Sequence, residues 1–426
     1  MMTSPDSDSR GEATMEKTIS KRRVKLVYAV VVMLFAGIIY AWSITKTPFE
    51  VFNDGIIANT SQLGINYTLT VIFFCLGGFT AGLLSKHTST SLRLTMSALL
   101  LFASFFSSSM QIVTLPHTGN YFMLYMSYGV LGGLGIGIAF NTVISTVNEW
   151  FPDKRGFASG VMLMGFGVSM LLIGRITDIM GRAESIGWRA TYVILAITLG
   201  IIALIAAVII RPPPADTIFP EAKTSKEAHP TYDIKDYTAP EMIRRPSFAL
   251  IFIYIAILAS SGNAAISFAK EIMMDTGATE IFAVTAVGAL GISNGAGRFI
   301  SGWLFDRLGI RQTQFISSAV AIFAPLTVVM SIAANSFILC VLGLCLCGFS
   351  LGFAPTTGSV FASEFYGLKN FSLNFGILGL VLIPAPFAAT LAGVIKASTG
   401  GFMPAFIILT VLTVIGFLVN LAIRKP

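Results

Sequence analysis

The 426-residue chain is 54% hydrophobic and only 12% charged, contains 34 Phe and carries a formal net charge of +7. A soluble domain carries about twice that charged fraction, so a water-soluble fold is excluded. The basic excess has to be read against membrane topology before any nucleic-acid partner is invoked.

Residues 1–24 are polar and mixed in charge, and the basic cluster KRRVK (Lys21–Lys25) stands immediately before the first apolar run. They predict a disordered cytoplasmic tail followed by an uncleaved anchor, since no small-residue cleavage site follows a short apolar core. Apolar runs long enough to cross a bilayer as helices then recur. The first six are predicted near 25–48, 61–84, 92–113, 120–151, 155–178 and 188–210. Residues 211–246 form a stretch rich in Pro and charge that predicts a cytoplasmic linker. Six further spans follow near 247–270, 281–304, 313–333, 336–357, 371–395 and 401–423. The organisation expected is an N-terminal half over 25–210 and a C-terminal half over 247–423. With the N-terminus inside, 21 of the 28 Lys and Arg fall in cytoplasmic segments, six fall outside and Arg298 is left in the membrane. Basic residues are retained on the cytoplasmic side, so an all-α membrane protein with twelve transmembrane helices and both termini cytoplasmic is expected.

Cys75, Cys340, Cys345 and Cys347 all fall in apolar runs without His or acidic neighbours at ligand spacing. They read as packing residues, with neither a disulfide framework nor a metal site suggested. No nucleophile and base, metal cluster or phosphate loop stands out, so neither an enzyme nor a cofactor is expected. His87, His117 and His229 lie in predicted loops, away from the spans where a group titrating near neutrality would couple protons to transport.

The segment SNGAGRFISG (293–302) places Arg298 inside the eighth span. An arginine at this depth costs roughly 2.5 to 3.5 kcal/mol on insertion scales and marks a pathway or a paired charge. Gly291, Asn294, Gly295, Arg298 and Gly302 share one helix face, with Ala289, Ile292, Ala296, Ile300 and Trp303 away from it. The glycines by themselves read equally as close helix packing. A structural ion pair is the competing reading of Arg298, but no predicted span holds Asp or Glu away from its ends. Ligand contact is therefore favoured, and the planar guanidinium suits a carboxylate. Other polar stripes are Asn141, Ser145 and Asn148 in the fourth span, Asn263, Ser267 and Lys270 in the seventh, and Tyr40 and Ser43 in the first. Each residue of these stripes also fits an interhelical hydrogen bond, and Lys46 and Lys270 can snorkel to the interface.

The stretch GWLFDRLGIR (Gly302–Arg311) resembles the G-x-x-x-D-R-x-G-x-R loop of the major facilitator superfamily, with Gly302, Asp306, Arg307 and Gly309 in the motif positions. The equivalent loop after the second span, GLLSKHTSTSLR, keeps Gly82, Lys86 and Arg93 but no acid. NEWFPDKRGFASG (Asn148–Gly160), FYGLKNFSLNFG (Phe365–Gly376) and YAWS (Tyr40–Ser43) are similar to the oxalate:formate antiporter family, close to bacterial monocarboxylate transporters. The resemblance implies the major facilitator fold, two pseudo-symmetric six-helix halves around a central cavity. Helices one, four, seven and ten would line that cavity, so Tyr40, Asn141 and Asn263 would face it together with Asn294. An arginine on the eighth helix would hold the carboxylate, and Arg298 matches it. The oxalate exchanger has a lysine in helix eleven where this chain has Leu382, which speaks against a dianion.

What the resemblance implies is a secondary active transporter of small monocarboxylates of the lactate, pyruvate or formate type, working by alternating access in the inner cell membrane. Proton symport and antiport against a counter-anion both stay open. A monomer in lipid, with no nucleic-acid partner, is expected. The alternatives are an oxalate/formate-type anion exchanger and a transporter-like carboxylate sensor signalling through the linker.

Overall fold

A computed structural model describes residues 5–46, 60–111, 121–214, 216–217, 219, 235–385 and 387–426. Within lipid every backbone polar group must be satisfied inside its own segment or a closed barrel, and the described residues form helices with no strand.

Helix α1 (Pro5–Ala36) continues through a 3₁₀ turn (Gly37–Ala41) into Trp42–Thr45. The N-terminal half is completed by α2 (Thr60–Leu84), α3 (Thr90–Gln111), α4 (Gly133–Trp150), α5 (Arg155–Ser169) and α6 (Gly187–Ile209). A π-helical segment, Tyr125–Gly132, leads into α4. A second one, Met170–Gly174, carries α5 onward into Arg175–Arg182. The C-terminal half opens with α7 (Pro246–Asp275), started by a proline whose missing N–H costs a first turn nothing.

Glu280–Ala333 is helical over 54 residues, which as one rod would measure about 80 Å against a hydrocarbon core of about 30 Å. Gly309, at φ 82°, breaks it into α8 before and α9 after. Only glycine enters that region of φ without strain, so the glycine of the loop motif is what turns the chain. Next come α10 (Phe337–Tyr366), with Ser336 accepting from Leu339 N as its cap, and α11 (Phe371–Gly379), which passes through Leu380–Leu382 into Phe387–Thr399. The last helix is α12 (Met403–Ala422). Ten helical stretches among the described residues are long and apolar enough to cross a membrane. Dividing one of them at Gly309 and adding α1 gives the twelve expected.

One expectation is corrected. Residues 5–24, read as a disordered tail, are helical and continuous with α1. Helix-favouring Lys, Arg and Glu populate this stretch, and Arg22 is anchored by a 2.7 Å ion pair to Asp153 and lies over the Phe151 ring. The linker, much of which lies outside the described residues, ends in a docked segment. Tyr237 N donates to Tyr366 O at 2.9 Å, and Tyr237 O accepts from Asn370 and Asn374 Nδ2 at 3.0 and 3.1 Å. A one-turn helix, Ala239–Ile243, follows under a Thr238–Glu241 capping box.

One hydrophobic cluster runs through both halves, including Phe74, Ile144, Val147 and Phe166 of the first and Phe361, Phe365 and Phe375 of the second. A second cluster, with Ala269, Ile272, Leu290, Leu344, Phe402 and Phe406, belongs to the C-terminal half alone and occupies the helix ends remote from the termini. The halves therefore share their core toward the end that carries both termini.

Candidate substrate site and inter-half contact

Arg298 lies on α8 with 3% of its surface exposed. Its Nε donates to Asn294 Oδ1 at 3.3 Å, one turn back along the same helix. Its Nη1 donates to the backbone carbonyl of Leu163 on α5 at 3.1 Å. The guanidinium thus reaches across the boundary between the halves. Its carbon stands 6.0 Å from the centre of the Phe166 ring. Phe166 packs against Phe140 (centroids 5.0 Å apart) and Phe74 (5.9 Å), and Phe140 in turn meets Phe375 at 6.1 Å. A buried cation is thereby held between an amide, a carbonyl and an aromatic cluster drawn from α2, α4, α5 and α11.

Glycine lets the backbones approach: a Cβ on Gly160 would stand 2.7 Å from Arg298 O, whereas one on Gly167 would meet the guanidinium in ordinary van der Waals contact, 3.4 Å from Nε. Asn294, the expected companion, is 8% exposed and in contact. The sequence reading weighed an acidic partner against a ligand; what the structure shows is a carbonyl partner on another helix, which no side-chain pattern signals.

The other expected residues separate. Asn141 bonds elsewhere: its Nδ2 donates to Ser372 O at 2.9 Å and its Oδ1 accepts from Ser372 Oγ at 2.7 Å, joining α4 to α11. Asn148, from the same stripe, donates to Ser159 Oγ and Ser359 Oγ, tying α4, α5 and α10 into one buried cluster. Asn263 is half-buried on α7 and donates to Ala259 O of its own helix at 2.9 Å. The side chain of Tyr40 lies outside the described residues. Lys270 is exposed and Lys46 half-buried near the ends of α7 and α1. Leu382 packs against the shared core.

The loop motif sits at the contact of α8 with α5. Asp306 Oδ1 accepts from Gly156 N at 2.8 Å and Oδ2 from Phe157 N at 2.6 Å. A Cβ on Gly302 would fall 2.1 Å from Gly156 O, so the two backbones touch. Arg307 stands over the Trp303 ring at 5.1 Å, and Gly309 makes the turn. Sequence reading missed the ion pair between Arg155 and Glu364, at 3.0 Å, which also joins the halves. Arg155 lies in the quoted NEWFPDKRGFASG stretch, but its partner is 209 residues away. These inter-half hydrogen bonds join α4 or α5 to α8, α10 or α11.

Two six-helix halves around such a contact are the arrangement of a rocking-bundle carrier. The family model of the Major Facilitator Superfamily matches residues 26–382. The chain belongs to the major facilitator superfamily. It is 28% identical over 369 residues to the uncharacterized MFS-type transporter YhjX of Escherichia coli (strain K12), covering 84% of each chain. It is 22% identical to the oxalate:formate antiporter of Oxalobacter formigenes, over 94% of this chain and 90% of that one. Monocarboxylate transporter 12 of Rattus norvegicus is 22% identical over 67% of this chain and 63% of its own. Among solved structures, the proton:xylose symporter XylE superposes with a TM-score of 0.71 at 14% identity, covering 95% and 97% of the two chains. The E. coli fucose:proton symporter FucP does so at 0.68 and 13%, covering 95% and 100%. This member of the superfamily is accordingly a multi-pass membrane transporter and not an enzyme.

Proposed function

We propose that this transporter carries small monocarboxylates of the lactate, pyruvate or formate type, with Arg298 as the residue that binds the carboxylate. The observation that carries this is the position of Arg298: a buried guanidinium on α8, at the boundary between the halves, that donates to an amide of its own helix and to a carbonyl of α5. A carboxylate adds the opposite charge and two acceptor oxygens in the geometry of the guanidinium fork. The names of two relatives, an oxalate:formate antiporter and a monocarboxylate transporter, agree in chemical class. One fixed cation is neutralised by one carboxylate, and a second substrate charge would need its own partner. Leu382 supplies none, which favours monoanions over oxalate.

The basic residues of the linker, tail and loops support a cytoplasmic location for both termini under the positive-inside rule. The contacts described above then close the cytoplasmic side, and the substrate enters from outside. Asn294 orients the guanidinium. Asn141 serves the contact between the halves.

Radiolabelled uptake into proteoliposomes tests the reading. Wild-type protein should accumulate lactate, pyruvate or formate, and Arg298→Lys should insert and fold but lose most transport, because a point charge on a flexible stem does not reproduce bidentate geometry. Full uptake in a well-inserted lysine variant would remove the contact. Binding without net flux would instead favour the sensor. Repeating the assay with an imposed pH gradient, with and without internal substrate, separates proton symport from anion exchange.

A further inference from the structure

We propose that Arg298 has a second role as the mid-membrane clasp between the two halves, in which the Leu163 carbonyl occupies the N–H that substrate must claim. The geometry that leads there is local. Leu163 O already receives a helical bond from the residue four positions on, and that residue is Gly167. The second lone pair of the carbonyl is taken by Arg298 Nη1 at 3.1 Å, beside Gly167, where a Cβ would lie 3.4 Å from Arg298 Nε. A Cβ at Gly295 would stand 3.1 Å from Val168 Cγ2, so α5 and α8 are close on the remote side of this bond as well. Arg298 backbone O also accepts from Thr356 Oγ1 of α10 at 3.3 Å. The arginine is thus braced by the C-terminal half and extended toward the N-terminal one.

The bond to the carbonyl is charge-assisted by its donor alone, whereas a carboxylate offers two acceptor oxygens in the geometry of the guanidinium fork and an opposite charge as well. An arriving carboxylate therefore draws the guanidinium off Leu163 and removes one inter-half bond. The Asp306 and Gly302 contacts nearer the termini are left to hold that end. Binding and loosening become one event, the differential interaction a ligand needs to shift a conformational equilibrium. The competition with substrate rests on the carboxylate reading above; the clasp itself does not.

The test places spin labels at Lys154→Cys and Lys369→Cys, two exposed positions in the α4–α5 and α10–α11 loops, with the four native cysteines replaced by alanine. Distances are measured by double electron–electron resonance without substrate. Arg298→Gln should raise the ratio of long-distance to short-distance carriers by about tenfold, the scale of one lost hydrogen bond to a charged group. A distribution superimposable on that of the Arg298-containing protein overturns the clasp. Should the glutamine variant fail to fold, Arg298→Lys is read in the same way: a smaller shift is expected, and no shift overturns the proposal. Lactate, pyruvate and formate are then added. Each ligand that binds should lengthen the distances in the Arg298-containing protein and leave the glutamine variant unchanged. A shifted glutamine variant beside a parent that binds none of the three retains the clasp and removes the carboxylate reading. Carboxylate binding with an unshifted glutamine variant does the reverse.

Discussion

Asp306 caps a helix that belongs to the other half of the molecule. Its two carboxylate oxygens accept from Gly156 N and Phe157 N, in the first turn of α5, at 2.8 and 2.6 Å. Four N–H groups at a helix start have no partner within the helix, and the helix dipole adds positive potential there. Most helices meet this need with their own cap residue; here the acid comes from the loop motif 150 residues away. The cap exists only while α5 and α8 are together, which makes it a contact selective for one state.

Asp306→Asn is expected to weaken that state without touching Arg298. The amide has one acceptor oxygen and no charge, so the loss is about 1 kcal/mol, or roughly fivefold in the ratio of separated to joined halves. Alkylation of a cysteine placed at Ser359, which is 1% exposed in this state, should accelerate accordingly. An unchanged alkylation rate counts against the role.

Gly302→Ala should be harsher. Its Cβ would fall 2.1 Å from the Gly156 carbonyl, a backbone atom that cannot step aside, so the halves must separate at this end. We expect most transport to be lost while the protein still inserts. Gly291→Ala, one residue of the same stripe with nothing within 4 Å of its Cβ, should behave like wild type. Equal loss in both would mean that the whole stripe, and not this one contact, is what matters.

The Arg155–Glu364 pair is a weaker link. Its side chains are 17% and 36% exposed, and exposed pairs contribute about 0.2 to 1 kcal/mol. A double-mutant cycle of Arg155→Ala and Glu364→Ala, read by the same alkylation assay, should return a coupling in that range. The coupling should shrink in high salt.

Leu382→Lys tests the charge arithmetic. Monocarboxylates should outcompete oxalate or malonate against labelled lactate in the wild type, and the lysine should raise the relative potency of oxalate. Oxalate inhibiting the wild type as well as the best monoanion does would contradict a single binding cation.

Beside the membrane, the Thr238 N–H and then its hydroxyl hold the Glu241 carboxyl below its ordinary range. A depressed folded-state value means that the capping box contributes above the ordinary carboxylate range and is lost as pH falls through the depressed value. Thr238→Ala removes the hydroxyl but keeps the backbone N–H, so the Glu241 titration, followed by NMR, should move only part of the way back toward its ordinary range.

The long apolar runs, the charged linker and the distribution of basic residues already determined twelve helices in two halves, because spanning length and charge retention are properties of segments and need no tertiary contact. Gly309 was legible only through the loop motif that the resemblance supplied between two predicted spans. Arg298 announced itself by its cost in lipid. The tertiary structure decided what these residues touch. Asn141 and Asn294 sit in equivalent-looking polar stripes, yet one fastens α4 to α11 and the other orients the guanidinium. The partner of Arg298 is a backbone carbonyl, a group every residue carries and no pattern marks. The Arg22–Asp153 pair, which anchors α1 to the α4–α5 loop, likewise joins positions 131 apart. Helix periodicity relates neighbours within one segment, whereas each of these contacts is set by how separate segments pack, and that is information only the folded chain contains.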